Sequence, residues 1–131
     1  MKKLKSFTLQ ELLIVLVIIG ILVLIALPNL MPLISKAKST EAQLQLSHLY
    51  TLEKNYFYMY SRYTDDLKQL GFEQAKLVNE GGNANYKIEI IKFSASEFKA
   101  KASSVVDFDS DGVFNVWEID HENKLVETVK D

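Results

Sequence analysis

The chain has 131 residues, a formal net charge of −2 and no cysteine. That length suits one domain rather than two, and the charge argues against a sequence-independent nucleic-acid binder. Without cysteine there is no disulfide, no thiolate zinc site and no cysteine nucleophile.

Charge is unevenly placed. Lys2, Lys3 and Lys5 stand against Glu11 at the N-terminal end, and no charged residue occurs from Leu12 to Ile34. Residues 107–131 hold eight acids against Lys124 and Lys130, so that end is an acidic patch. An apolar run of this length, at ~1.5 Å rise per residue, crosses the ~30 Å hydrocarbon core as a helix. A cleaved secretory signal has a shorter apolar stretch and a small-x-small site after it; Ser35-Lys36-Ala37 is a poor one. The lysines ahead of the span predict a cytoplasmic N-terminus and a remainder outside the cytoplasm. Glu11, at the edge of the span, marks either an interfacial acid or a partner of opposite charge.

The run Lys5-Ser6-Phe7-Thr8-Leu9-Gln10-Glu11-Leu12-Leu13-Ile14-Val15-Leu16-Val17-Ile18-Ile19-Gly20-Ile21-Leu22, continuing to Ala26-Leu27-Pro28, resembles the class III signal of type IV pilins and type II secretion pseudopilins. The resemblance rests on a short basic leader, Phe-Thr-Leu, an acid at the fifth mature position and a long apolar helix with a proline near its end. It implies a leader over 1–6, a membrane and filament-core helix over 7–34 and a globular part over 35–131. It implies cleavage between Ser6 and Phe7 by a prepilin peptidase and N-methylation of Phe7. The family carries Gly before the cut where this chain has Ser6. The partners implied are further copies of the chain, the peptidase, an inner-membrane assembly platform and, before assembly, membrane lipid. The implied location is the inner membrane, then an extracellular pilus or a periplasmic pseudopilus. A buried carboxylate in a filament core costs several kcal/mol unless paired; the new ammonium of Phe7 on a neighbouring subunit is the natural partner of Glu11.

Beyond the span, Pro28 and Pro32 predict a kink or a short unwound stretch. The helix then resumes, with Ala42, Leu46, Leu49, Leu52, Tyr56, Met59 and Tyr63 three or four apart on one apolar stripe. Lys36, Lys38, Glu41, Gln45, Glu53 and Lys54 fall on the remaining faces. One helix of ~50 residues is expected, needing a covering layer for its outer half. The aromatic cluster Tyr50, Tyr56, Phe57, Tyr58, Tyr60 and Tyr63 reads as core packing plus subunit interface.

Residues 63–72 read as a capped helical turn, with Thr64 or Asp65 as cap and Gly71 as stop. Gly81-Gly82-Asn83 is a loop. The pattern then alternates: Tyr86, Ile88 and Ile90; Phe98, Ala100 and Ala102; Val113 to Ile119; Leu125 to Val129, with 120–124 as the last turn. The expected fold is α+β, a pilin fold with one long helix on a four-stranded antiparallel sheet.

Asp107-Phe108-Asp109-Ser110-Asp111-Gly112-Val113-Phe114-Asn115-Val116-Trp117-Glu118 matches the EF-hand loop pattern. Three carboxylates in five residues repel unless solvated or bound to a hard cation such as Ca²⁺. The flanks alternate like strands, so an extended chain after Gly112 carries Glu118 ~20 Å away. Asp107, Asp109 and Asp111 are the expected ligands, with Asn115 next and Glu118 weakest; the other reading is a solvated acidic turn. Pseudopilins of the resembled family order a C-terminal loop with Ca²⁺, and many pilins use a disulfide that this chain cannot form.

His48 and His121 sit on the long helix and in a turn, and no catalytic constellation accompanies them. The expected function is a filament subunit rather than an enzyme. The reading from another class is a membrane-anchored calcium-binding module that never polymerises.

Overall fold

A computed structural model describes residues 6–131, without the side chains of Pro28, Asn29 and Met31. Lys2, Lys3, Lys5 and most of the leader over 1–6 lie outside the described residues. The described chain forms two compact units, the first ending at Leu33 and the second spanning Ile34–Asp131.

Helix α1 runs Leu9–Tyr60. In the first unit it carries the apolar stretch Leu9–Leu27, long and apolar enough to cross a membrane, with none of its residues buried. The run of Leu, Ile and Val on every face leaves no polar side to meet water, as a membrane span requires. Of the kink or short unwound stretch expected at the prolines, the unwinding does not occur: the residues from 28 to 32 are helical. Each proline deletes one amide donor, and the turns on either side suffice to hold the chain helical.

In the second unit, Ala42, Leu46, Leu49 and Tyr56 of α1 are buried against Tyr86, Ile88, Phe98, Ala100, Ala102 and Ile119 of the sheet. One expected stripe position and one expected polar position depart. Met59 is 69% exposed, and Glu53, expected on a polar face, is 0% exposed. The helix ends one residue after Met59, so the stripe has no further turn to be covered there. Tyr63 lies beyond the helix and is buried all the same, stacked on Phe57 with centroids 4.9 Å apart. Tyr58 and Tyr60 remain exposed.

Helix α2 is a single turn, Leu67–Leu70. Its cap is Asp66, one residue past the expected Thr64 or Asp65; the Asp66 carboxylate accepts from the amides of Lys68 and Gln69. Gly71 closes it in the left-handed conformation, φ 76°, where a side chain would be strained. A 3-10 turn over Val78–Glu80 precedes the glycine loop.

The sheet has four antiparallel strands in sequential order: β1 Tyr86–Phe93, β2 Phe98–Ser104, β3 Val116–Asp120 and β4 Leu125–Val129. This is the α+β architecture expected from the alternation. Strand β3 starts at Val116 rather than Val113, which leaves Val113, Phe114 and Asn115 in the preceding loop. One edge is closed by a side chain. The Gln74 amide donates to the carbonyl of Tyr86 and accepts from the amide of Ile88, as a neighbouring strand would. Edge backbone groups satisfied in this way are unavailable to foreign strands.

Candidate functional site

Two groups of residues stand out, one in each unit. At the start of α1, Thr8 and Glu11 form a reciprocal cap. The Thr8 amide donates to Glu11 Oε2 at 3.0 Å, and the Glu11 amide donates to Thr8 Oγ1 at 3.2 Å. Two of the helix's orphan donors are satisfied this way. The Thr-x-x-Glu spacing announces the motif in the sequence, so Thr8 was legible as the partner of Glu11. The cap holds the acid at the N-terminal end of α1, four residues from Phe7, which is itself 80% exposed.

The second group is the acidic loop. Asp107, Asp109, Asp111 and Asp131 each offer a carboxylate oxygen, all within 4.8 Å of one another. The loop folds on its own carboxylates: Asp107 accepts from the amides of Asp111 and Gly112, and Asp111 accepts from the amide of Val113 at 2.8 Å. Ser110 and Gly112 both have positive φ, 62° and 86°. Asp131 arrives from the far end of the chain. The register pairs Val116 with Val129, so β4 returns the chain to the loop's start, where Asp131 Oδ2 accepts from the amide of Phe108 at 2.8 Å. Its other oxygen, Oδ1, is buried without a hydrogen-bond partner. Ser35 Oγ donates to the Asp131 carbonyl at 2.9 Å, tying this corner to α1.

The crowding shows in the protonation equilibria. A side-chain hydrogen bond shared with the Asp131 carboxylate, helped by desolvation, pushes the Asp109 carboxyl above its ordinary range. Desolvation also acts to raise Asp107, but hydrogen bonds from Gly112, Asp109, Asp111 and Ser110 prevail and lower it. Oxygen-only donors with excess negative charge are the chemistry of a hard divalent cation.

The structure corrects two of the expected ligands. Asn115 does not face the cluster: it is 1% exposed, and its Oδ1 accepts from the Tyr86 hydroxyl at 2.6 Å. Its amide nitrogen donates to Glu127 at 2.7 Å and to the Val129 carbonyl at 2.8 Å. The side chain is a buried clasp across β1 and β4. Glu118 lies in mid-strand β3, 4.0 Å from the Lys99 ammonium, and is not one of the four clustered acids. An EF-hand needs a helix after the loop to bring its twelfth residue back, and here a strand carries it away. Asp131 stands in the cluster instead. No loop-spacing pattern could find it, since it is placed by the β3–β4 hairpin.

Residues 1–27 match the family model for the prokaryotic N-terminal methylation motif. The chain is also 44% identical over 68 residues to the type IV major pilin protein PilA of Myxococcus xanthus. That match covers 52% of this chain and 31% of the relative, so the chain spans about a third of the length of the curated relative it matches. The chain thus carries the N-terminal methylation motif and is similar, over about half of its length, to a type IV major pilin.

Proposed function

We propose that the chain is a structural subunit of a type IV pilus or pilus-like filament. In this reading a prepilin peptidase cuts between Ser6 and Phe7 and methylates Phe7, and an inner-membrane platform polymerises the product through residues 7–34. The observation that carries the reading is the N-terminal methylation motif over residues 1–27. It is supported by the apolar helix, none of whose residues is buried, which fits burial first in lipid and then among copies of itself. Cleavage supplies the ammonium that Glu11 needs when lipid and water are both excluded.

The acidic loop extends the proposal: Asp107, Asp109, Asp111 and Asp131 take Ca²⁺. The buried, unpartnered Asp131 Oδ1 is the support, since a cation is the partner that such an oxygen lacks. A cation there ties the loop to β4 without cysteine. Type II secretion pseudopilins use a similar device, which favours a pseudopilus as the second reading of the filament.

Mass spectrometry of filaments sheared from cells tests the proposal. The expected chain starts at N-methylated Phe7 and has 125 residues, 131 minus 6. Intact Met1 in filaments overturns the processing step. A chain found in the membrane and never in filaments overturns polymerisation and returns the non-polymerising anchored module.

A further inference from the structure

Among the described residues, Glu53 is the one fully buried carboxylate of α1. It is 0% exposed. Its Oε2 accepts from the backbone amide of Thr64 at 3.4 Å, and its Oε1 is buried with no hydrogen-bond partner. Among the described residues, no cation of α1, α2 or the sheet lies within ion-pair distance of it. The adjacent Lys54 is engaged elsewhere, donating to the Tyr63 hydroxyl at 2.9 Å and lying over the rings of Tyr50, Phe57 and Tyr63. The ionisable group that acts on Glu53 from the facing segment is Asp65, an acid. A charged carboxylate in this place is undercompensated, whereas a neutral carboxyl leaves far less unsatisfied.

The segment over residues 61–66 covers this group. It joins α1 to α2, starts at Ser61 with φ 56°, and is pinned by the buried Tyr63 ring, packed on Phe57 and Phe98, and by a small set of hydrogen bonds. The Tyr63 amide donates to the Ser94 carbonyl at 3.1 Å, the Thr64 amide to Glu53, and the Asp66 amide to Thr64 Oγ1 at 3.1 Å. If Glu53 ionises, water reaches it at lowest cost by lifting this segment, because the sheet on the other side is cross-linked by its ladders.

We propose that Glu53 is a proton-operated latch: its neutral carboxyl closes the 61–66 segment onto α1, and its ionisation loosens that segment. Burial, opposed by the Thr64 hydrogen bond and helped by Asp65, raises the group from 4.5 to about 7. The native state therefore holds a proton between those values that the unfolded chain has released. Stability from this group is full below pH 4.5, falls as pH rises through 7, and is constant above. The latch is thus poised to respond near neutral pH.

The test is hydrogen–deuterium exchange of the full chain in detergent at a series of pH values from 5.5 to 8.5, corrected for intrinsic rates. Peptides spanning 61–66 are compared with peptides from β2. Protection of 61–66 is expected to fall at least about tenfold across the series, with β2 changing much less. Equal protection of 61–66 at both ends of the series overturns the proposal. Glu53→Gln keeps the shape and removes the charge, so its 61–66 protection should be flat with pH; the same fall as in the wild type overturns the latch. Should that variant fail to fold, Asp65→Asn removes the facing acid and must move the wild-type midpoint to lower pH. A midpoint that stays in place counts equally against the proposal.

Discussion

Asn115 illustrates how a residue's type can be read correctly and its role missed. At the ninth position of a calcium-loop pattern, an amide oxygen suits a cation as well as it suits a hydroxyl. Sequence spacing carries no signal for the choice. The choice is made by where β3 begins: with the strand starting at Val116, Asn115 turns inward and meets Tyr86, Glu127 and Val129. Its removal strands several buried groups at once. Asn115→Ala is expected to lower stability by roughly 2–4 kcal/mol, since each buried partner left unsatisfied costs about 1–3 kcal/mol and partial relaxation recovers some of it. Chemical denaturation of the full chain in detergent measures this, and a loss below about 1 kcal/mol would show that water replaces the amide. Glu53 is the converse case. Its spacing places it in the buried row, four residues after Leu49 and three before Tyr56, but its charge assigned it to a polar face, since carboxylates are seldom fully buried. The neighbouring apolar positions Leu49, Leu52 and Tyr56 drag it into the interior with them.

Among the elements, the strands and α1 were the most legible, because their periods of two and 3.6 are enforced by a single buried face. Boundaries were less so. The α2 cap shifted to Asp66, since three consecutive candidates, Thr64, Asp65 and Asp66, compete and tertiary packing buries Thr64. The proline segment stayed helical because two lost donors are a small fraction of a 52-residue helix. At the start of α1 the Thr8–Glu11 cap gives Glu11 two uses that can be separated. As a cap it stabilises the first turn by ~1 kcal/mol; as a charge it balances the proposed ammonium of a neighbour. Glu11→Val should leave membrane insertion intact, because an apolar residue replaces an acid in an apolar span. It should leave a buried ammonium uncompensated in each assembled subunit, at about 3–5 kcal/mol. Membrane fractions with normal chain content and a steep loss of sheared filaments are expected. Glu11→Gln, which retains a capping acceptor without the charge, should fail in the same way. Normal filament yield in either variant would show that the charge pairing is dispensable.

At the scale of the whole molecule, the acidic corner is where chain segments far apart in sequence converge. The loop over 107–112, the end of β4 and Ser35 of α1 meet at Asp131. The local half of the cluster was visible as Asp-x-Asp-x-Asp-Gly. The fourth acid depended on hairpin register, which alternation alone does not fix to the residue. Four carboxylates within 4.8 Å repel strongly in the absence of a cation, and any ion bound only by the folded state stabilises it by mass action. The gain is about 2.7 kcal/mol at a hundredfold excess over Kd. The full chain in detergent should therefore melt higher in millimolar Ca²⁺ than in chelator. Mg²⁺ should substitute poorly, because it holds its water and demands an octahedron. Asp109→Ala with Asp111→Ala should abolish the response and leave the chelator-state melting temperature equal or higher, since repulsion is relieved. Two further variants separate this cluster from an EF-hand. Glu118→Gln should leave the Ca²⁺ response unchanged, as Glu118 sits beside Lys99 and away from the acids. Asp131→Asn should weaken it, as Asp131 supplies the buried oxygen that lacks a partner. A response lost with Glu118 and kept without the Asp131 charge would mean that the loop closes on β3 when the ion binds. Identical melting curves in Ca²⁺ and chelator would make the corner a solvated turn, with Asp131 held by Ser35 and Phe108.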